Sequence, residues 1–150
     1  MAPWAEHAMW WQVYPLGFAG VDVRGEHRPP APDGGLRALV PWLDHVVDLG
    51  LNGLLLGPIF ASSTHGYDTL DHLAIDPRLG TREDFDALVV AARDRGVRIL
   101  LDGVFNHVGR EHPLARRALA EGPDGEHASW FRIDWDASGG PDFADFEGHS

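Results

Sequence analysis

Three residues able to do chemistry stand close together in the stretch VRILLDGVFNHVG at 97–109: Asp102, Asn106 and His107, within six positions. A carboxylate, a carboxamide and an imidazole so placed can bond hydroxyl groups, orient one another, or offer oxygen to a hard cation. The chain just before them, 97–101, is apolar and β-prone except for Arg98, the pattern of a strand buried on both faces of a parallel sheet. Arg98 is tolerable near a strand end, where its long stem can carry the charge to water. A buried strand that delivers polar side chains at its carboxyl end is how α/β folds present their sites. A second polar group lies upstream: His65, Tyr67 and Asp68. Tyr67 combines a flat apolar face with a hydroxyl, suited to stacking on another ring while bonding through its tip.

Each of these residues also has a plainer reading. Asp102 ends a strand where an unpaired carboxylate would be costly, so it could simply be held by loop amides. Asn106 could tie down loop amides instead of binding a cation, and Tyr67 could pack beneath its own loop. Asp71, Asp76, Pro77 and Gly80 are expected to shape the loop rather than touch a ligand. Trp10, Trp11 and Tyr14 are expected to pack in the core. Nine histidines without a cysteine or an H-x-x-x-H pair do not make a zinc site.

The elements that must position these residues alternate. Residues 10–14 (WWQVY), bounded by Pro15 and Gly17, predict a first strand, and 15–35 a long Pro- and Gly-rich surface loop. Leu36, Leu39, Val40, Leu43 and Val47 share one helical face, with Pro41 requiring the regular helix to begin only a residue or two before it. Residues 52–56 (NGLLL), closed by Gly57 and Pro58, predict a second buried strand, and 57–80 a long functional connection. Thr81 and Asp84 form a capping-box pattern ahead of Phe85, Leu88, Val89 and Ala92, with Gly96 ending that helix. The third strand, 97–101, follows. Residues 112–121 predict a surface helix, and the chain becomes loop-like after Gly122. Short turns before strands and long loops after them place the elaborated loops at the carboxyl ends of a parallel sheet.

With 150 residues, 44% hydrophobic and 23% charged, the chain is long enough for one domain with a sizeable core. The formal net charge of −11 argues against nucleic acid as partner but leaves neutral sugars open. The N-terminus lacks a basic, then apolar, leader pattern, and no apolar run is long enough for a bilayer. The expectation is a soluble cytoplasmic chain with no membrane contact. A first turn without G-x-G-x-x-G, and no G-x-x-x-x-G-K-[ST], speak against a nucleotide-binding fold.

Three stretches resemble one family. WWQVYPLGF (10–18) is similar to the first barrel strand of the alpha-amylase family of glycoside hydrolases, in its neopullulanase and maltodextrin-acting branch. HGYDTLDHLAIDPRLGT (65–81) is similar to the loop after its second strand, and DGVFNH (102–107) to the region ending its third. FADFEGHS (143–150) resembles the opening of the domain inserted there. The resemblance implies the first three strands and two helices of a TIM (β/α)8 barrel over 1–122, and the start of the inserted domain over 123–150. It implies a retaining hydrolase or transglycosylase of α-glucosidic bonds in maltodextrin-like α-glucans. Tyr67, Asp68, His107, Asp102 and His65 would contact the sugar, Asp102 also bonding an arginine of the fourth strand. Asn106 would be a ligand if a structural calcium ion is bound; no other cofactor is implied. The family's nucleophile and acid/base come from later strands, so no catalytic residue falls within these 150 positions. The chain alone is expected to be inactive, its open sheet edge seeking the remainder of the barrel or a complementing chain. The alternative is a non-catalytic carbohydrate-binding or regulatory half-barrel.

Overall fold

Three short strands pair side by side in the order in which they occur. In the computed structural model, which describes residues 3–23 and 34–143, β1 (Trp10–Val13) pairs in parallel with β2 (Gly53–Leu56). The third strand of that sheet, β5 (Arg98–Leu101), lies on the other side of β2. The register places Trp10 opposite Gly53, and a Cβ at Gly53 would sit 2.3 Å from the Trp10 indole. Only glycine lets that ring lie across the strand. Trp11 stacks on Trp42, with ring centroids 5.8 Å apart, and packs against the core, but Trp10 is only half-buried and Tyr14 is exposed, so the three do not enter the core together as expected.

Between β1 and β2 the chain first makes a single turn, α1 (Pro15–Phe18). Leu16 and Ala19 are buried there, so 15–23 joins the core instead of forming a surface loop; 24–33 lie outside the described residues. The helical periodicity of 36–47 is realised in two pieces, a 3-10 turn (Gly35–Leu39) and α2 (Trp42–Asp48), with Pro41 as the N-cap of the second. Proline lacks the amide a continuous helix would need, and the break rotates the buried face. Val46 rather than Val47 therefore joins Leu36, Leu39 and Leu43 in the core, and Val47 is exposed.

Residues 57–80, expected as a connection without regular structure, hold an antiparallel hairpin of β3 (Phe60–Ser62) and β4 (Thr69–Ile75). The capping box forms as its pattern requires: Thr81 caps α3 (Arg82–Asp94), and Asp84 returns a bond to the Thr81 backbone. Leu88 and Ala92 of α3 close the core with Leu54 and Leu56. Burial of such side chains contributes roughly 1.5–3 kcal/mol each.

The outer side of β5 carries no further strand among the described residues. Its burial departs from expectation: it is not buried on both faces, since Arg98 and Leu100 are exposed. The Arg98 guanidinium lies over the Trp4 ring, 4.8 Å from its centroid. Beyond the site loop, α4 (Pro113–Glu121) is capped by His112, and a two-residue hairpin, β6 (Ile133–Asp134) with β7 (Asp142–Phe143), ends the described chain. The segment 144–150, and with it most of FADFEGHS, lies outside the described residues. No helix among the described residues is long and apolar enough to cross a membrane.

Candidate functional site

The bend 63–68 between β3 and β4 carries His65, Tyr67 and Asp68, and it is tied down from several sides. The Ser63 amide donates to the Asp68 carbonyl at 2.9 Å, closing the bend. At the carboxyl end of β1 the Tyr14 hydroxyl donates to the His65 carbonyl at 2.8 Å. Burial, the leading cause, raises the pKa of that hydroxyl, which keeps it a donor. From the loop after β5 the Gly109 amide donates to the Thr69 carbonyl at 2.9 Å. The bend is thus held against the ends of two strands of the parallel sheet.

The side chains follow from that frame. Tyr67 is exposed on one side. Partial burial, then the neighbouring Asp102 carboxylate, raise the Tyr67 pKa. The carboxylate ending β5 thus lies beside a phenol carried by the other loop. Asp68 accepts from the Thr64 hydroxyl at 2.6 Å, while its Oδ1 is buried with no hydrogen-bond partner among the described residues. Burial pushes the Asp68 pKa up, but bonds from Thr64, its own amide and the nearby His65 outweigh that and hold it below the ordinary value. His65 Nδ1 lies 3.8 Å from Asp68 Oδ1 and accepts from the Tyr67 amide at 3.3 Å, which places a neutral ring's proton on Nε2.

His107 and Asn106 stand apart from this group. Both are exposed and line a cavity of about 420 Å³ with Arg110, Trp130, Phe131 and Phe143. His107 makes no hydrogen bond among the described residues. Among the described residues no group of three or more His, Cys, Asp or Glu is gathered to hold an ion.

Sequence reasoning named Asp76 as a residue shaping the loop but missed its partner, Arg78. Asp76 and Arg78 form a buried ion pair at 2.7 Å beneath the bend, and no periodicity marks two charged residues flanking Pro77 as interior. It also missed His72, whose Nε2 bonds the Val104 carbonyl at 2.8 Å and whose ring stacks on Phe105, tying β4 to the loop after β5. The spacing of His72 from Asp68 along an alternating strand was the available signal.

Residues 12–143 match the alpha amylase catalytic domain. The chain is 39% identical over 143 residues to the intracellular maltogenic amylase of Bacillus subtilis, covering 87% of this chain and 24% of that protein. It is 36% identical to the cyclomaltodextrinase of Geobacillus thermopakistaniensis, with the same two coverages. Among solved structures it resembles the ligand-free cyclic alpha-maltosyl-(1→6)-maltose hydrolase of Arthrobacter globiformis, with a TM-score of 0.77 and 33% identity over 97% of this chain and 37% of that one. The chain thus spans about a quarter of the length of the curated relatives it matches.

Proposed function

Because the chain belongs to the alpha-amylase catalytic-domain family, we propose that it forms the first part of a barrel that cleaves or transfers α-glucosidic bonds of maltodextrin-like glucans with retention. The observation that carries this reading is the seam that brings two loops together at the carboxyl end of the parallel sheet: the Gly109 amide donates to the Thr69 carbonyl at 2.9 Å, and Asp102 lies close enough to Tyr67 to raise its pKa. A phenol beside a carboxylate, with its ring face exposed, can stack on a glucose ring while Asp102 accepts from a hydroxyl. Asp68, held ionised, and His65 beside it would bond further hydroxyls of the same sugar. His107 would reach the sugar from the loop after β5.

Retention requires two carboxyl groups about 5–5.5 Å apart, one a nucleophile and one a proton donor. We assign both to strands beyond these 150 residues, leaving the described residues to grip and orient the sugar. Relatives named maltogenic amylase, cyclomaltodextrinase and neopullulanase support the α-glucan class. One relative's intracellular name supports a cytoplasmic setting. We read 123–150 as the beginning of the domain inserted after the third strand.

The test is maltotriose cleavage by the product of the complete gene, with the anomer followed by proton NMR. The expected result is α-anomeric product from the wild type, a strongly reduced rate for Tyr67→Ala, and no turnover by residues 1–150 alone. A β-anomeric first product, or a Tyr67→Ala enzyme of wild-type rate and affinity, overturns the reading.

A further inference from the structure

Beneath the 63–68 bend lies the most deeply buried polar cluster among the described residues. Asp76 is 1% exposed, Arg78 2% and Ser62 5%. The Arg78 Nε donates to Asp76 Oδ1 at 2.8 Å and its Nη2 to Asp76 Oδ2 at 2.7 Å, a two-pronged pair. Asp76 also accepts from the Arg78 amide at 3.0 Å and from the Ser62 amide and hydroxyl at 3.3 and 3.1 Å. What remains of the guanidinium points into the bend: Nη1 donates to the Thr64 carbonyl at 2.5 Å and Nη2 to Ser62 Oγ at 2.9 Å. Ser62 Oγ in turn accepts from the Gly66 amide at 3.0 Å, and the Thr64 hydroxyl holds Asp68.

Stability alone does not call for this arrangement. Replacing a buried ion pair by apolar side chains is often neutral or stabilising, because two desolvated charges are costly. A planar fork, however, fixes directions that apolar packing cannot. Here it fixes backbone or side-chain atoms of Ser62, Thr64 and Gly66, the residues that flank His65, Tyr67 and Asp68.

We propose that the Asp76–Arg78 pair is a positioning element for the sugar-contacting bend, setting the place of Tyr67 and Asp68 through Thr64, Ser62 and Gly66. The inference rests on reading that bend as an α-glucan site. Arg78 touches no sugar; it acts through the carbonyl and hydroxyl it holds. A displacement of about 1 Å in such a group can cost on the order of a hundredfold in rate.

The experiment uses the complete gene product with maltotriose as probe, reading affinity by calorimetry, KM against kcat, and the thermal midpoint. Arg78→Lys keeps the charge but cannot bridge Asp76, Thr64 and Ser62 together. Its affinity for maltotriose is expected to fall about tenfold with the protein still folded, and its effect to be less than additive with that of Tyr67→Ala. Ser62→Ala, which leaves the ion pair in place, is expected to weaken maltotriose a few-fold and decides the matter if Arg78→Lys does not fold. A lowered midpoint with unchanged affinity per folded molecule in the folding variants makes the pair merely structural and overturns the proposal. If Tyr67→Ala also binds maltotriose as the wild type does, it is the site reading that has failed.

Discussion

Gly109, in the loop after β5, lies so close to Asp68 that a Cβ on it would come within 2.6 Å of the Asp68 carbonyl oxygen. The same Cβ would stand 2.9 Å from the Ser63 hydroxyl, and the Gly109 amide already donates to the Thr69 carbonyl. The two loops carrying the candidate sugar contacts therefore share one backbone seam, and the absence of a side chain lets it close. Gly109→Ala is expected to destabilise the chain by about 1–3 kcal/mol, as overpacking does. It should also weaken maltotriose binding, because the obstructing atom is backbone and the bend must move. Urea melts beside calorimetry check both; an unshifted melt would mean that the seam has slack.

Tyr14 joins the first strand to the bend through one bond, hydroxyl to the His65 carbonyl. Tyr14→Phe keeps the ring and removes that donor. The expected loss is about 1 kcal/mol of stability, with faster hydrogen exchange at the amides of 65–67. Unchanged exchange there would show the bend to be held without β1.

The helix face offers a test in which sequence and structure disagree. Spacing alone put Val47 on the buried face, yet Leu43 and Val46 are fully buried and Val47 is 45% exposed. Leu43→Ala should cost about 2–5 kcal/mol, and Val47→Ala should stay within about 0.5 kcal/mol. Comparable losses for the two would restore the unbroken helix with Val47 inward.

Why some features were legible and others not follows from their physics. The three parallel strands announce themselves by apolar runs, and the α3 cap by Thr81 and Asp84 three residues apart, because local sequence alone decides such features. The β3–β4 hairpin was hidden because Phe60–Ser62 is only three residues long and Thr69–Ile75 carries Asp71 and His72 among its apolar residues. Asp76 was legible as a residue that shapes the loop, but its buried pairing with Arg78 was not, since only tertiary structure reveals that each neutralises the other inside. His65, Tyr67, Asp68 and Asp102 were visible as a set through their types and motif. That Tyr67 and Asp102 lie side by side was not, since the two loops meet only in the fold.

His112 supplies a pH dependence. Its Nδ1 accepts from the Leu114 amide at 3.2 Å, capping α4, and its ring lies 6.1 Å from that of His72. Burial first, and the His72 charge second, push its pKa below the ordinary 6.5, with Asp71 opposing. The folded state then holds fewer protons than the unfolded one, so stability rises with pH in this range. The contribution is fully present well above 6.5 and drains away as pH falls through that value toward the lower folded pKa. Protonation at Nδ1 also removes the acceptor that the helix start needs. His112→Asn caps a helix without titrating. Urea midpoints of wild type and variant, taken between about pH 5 and pH 7.5, should therefore diverge, the wild type losing more stability toward the acid end. Parallel curves would assign the acid sensitivity to other groups and leave His112 a cap indifferent to its charge.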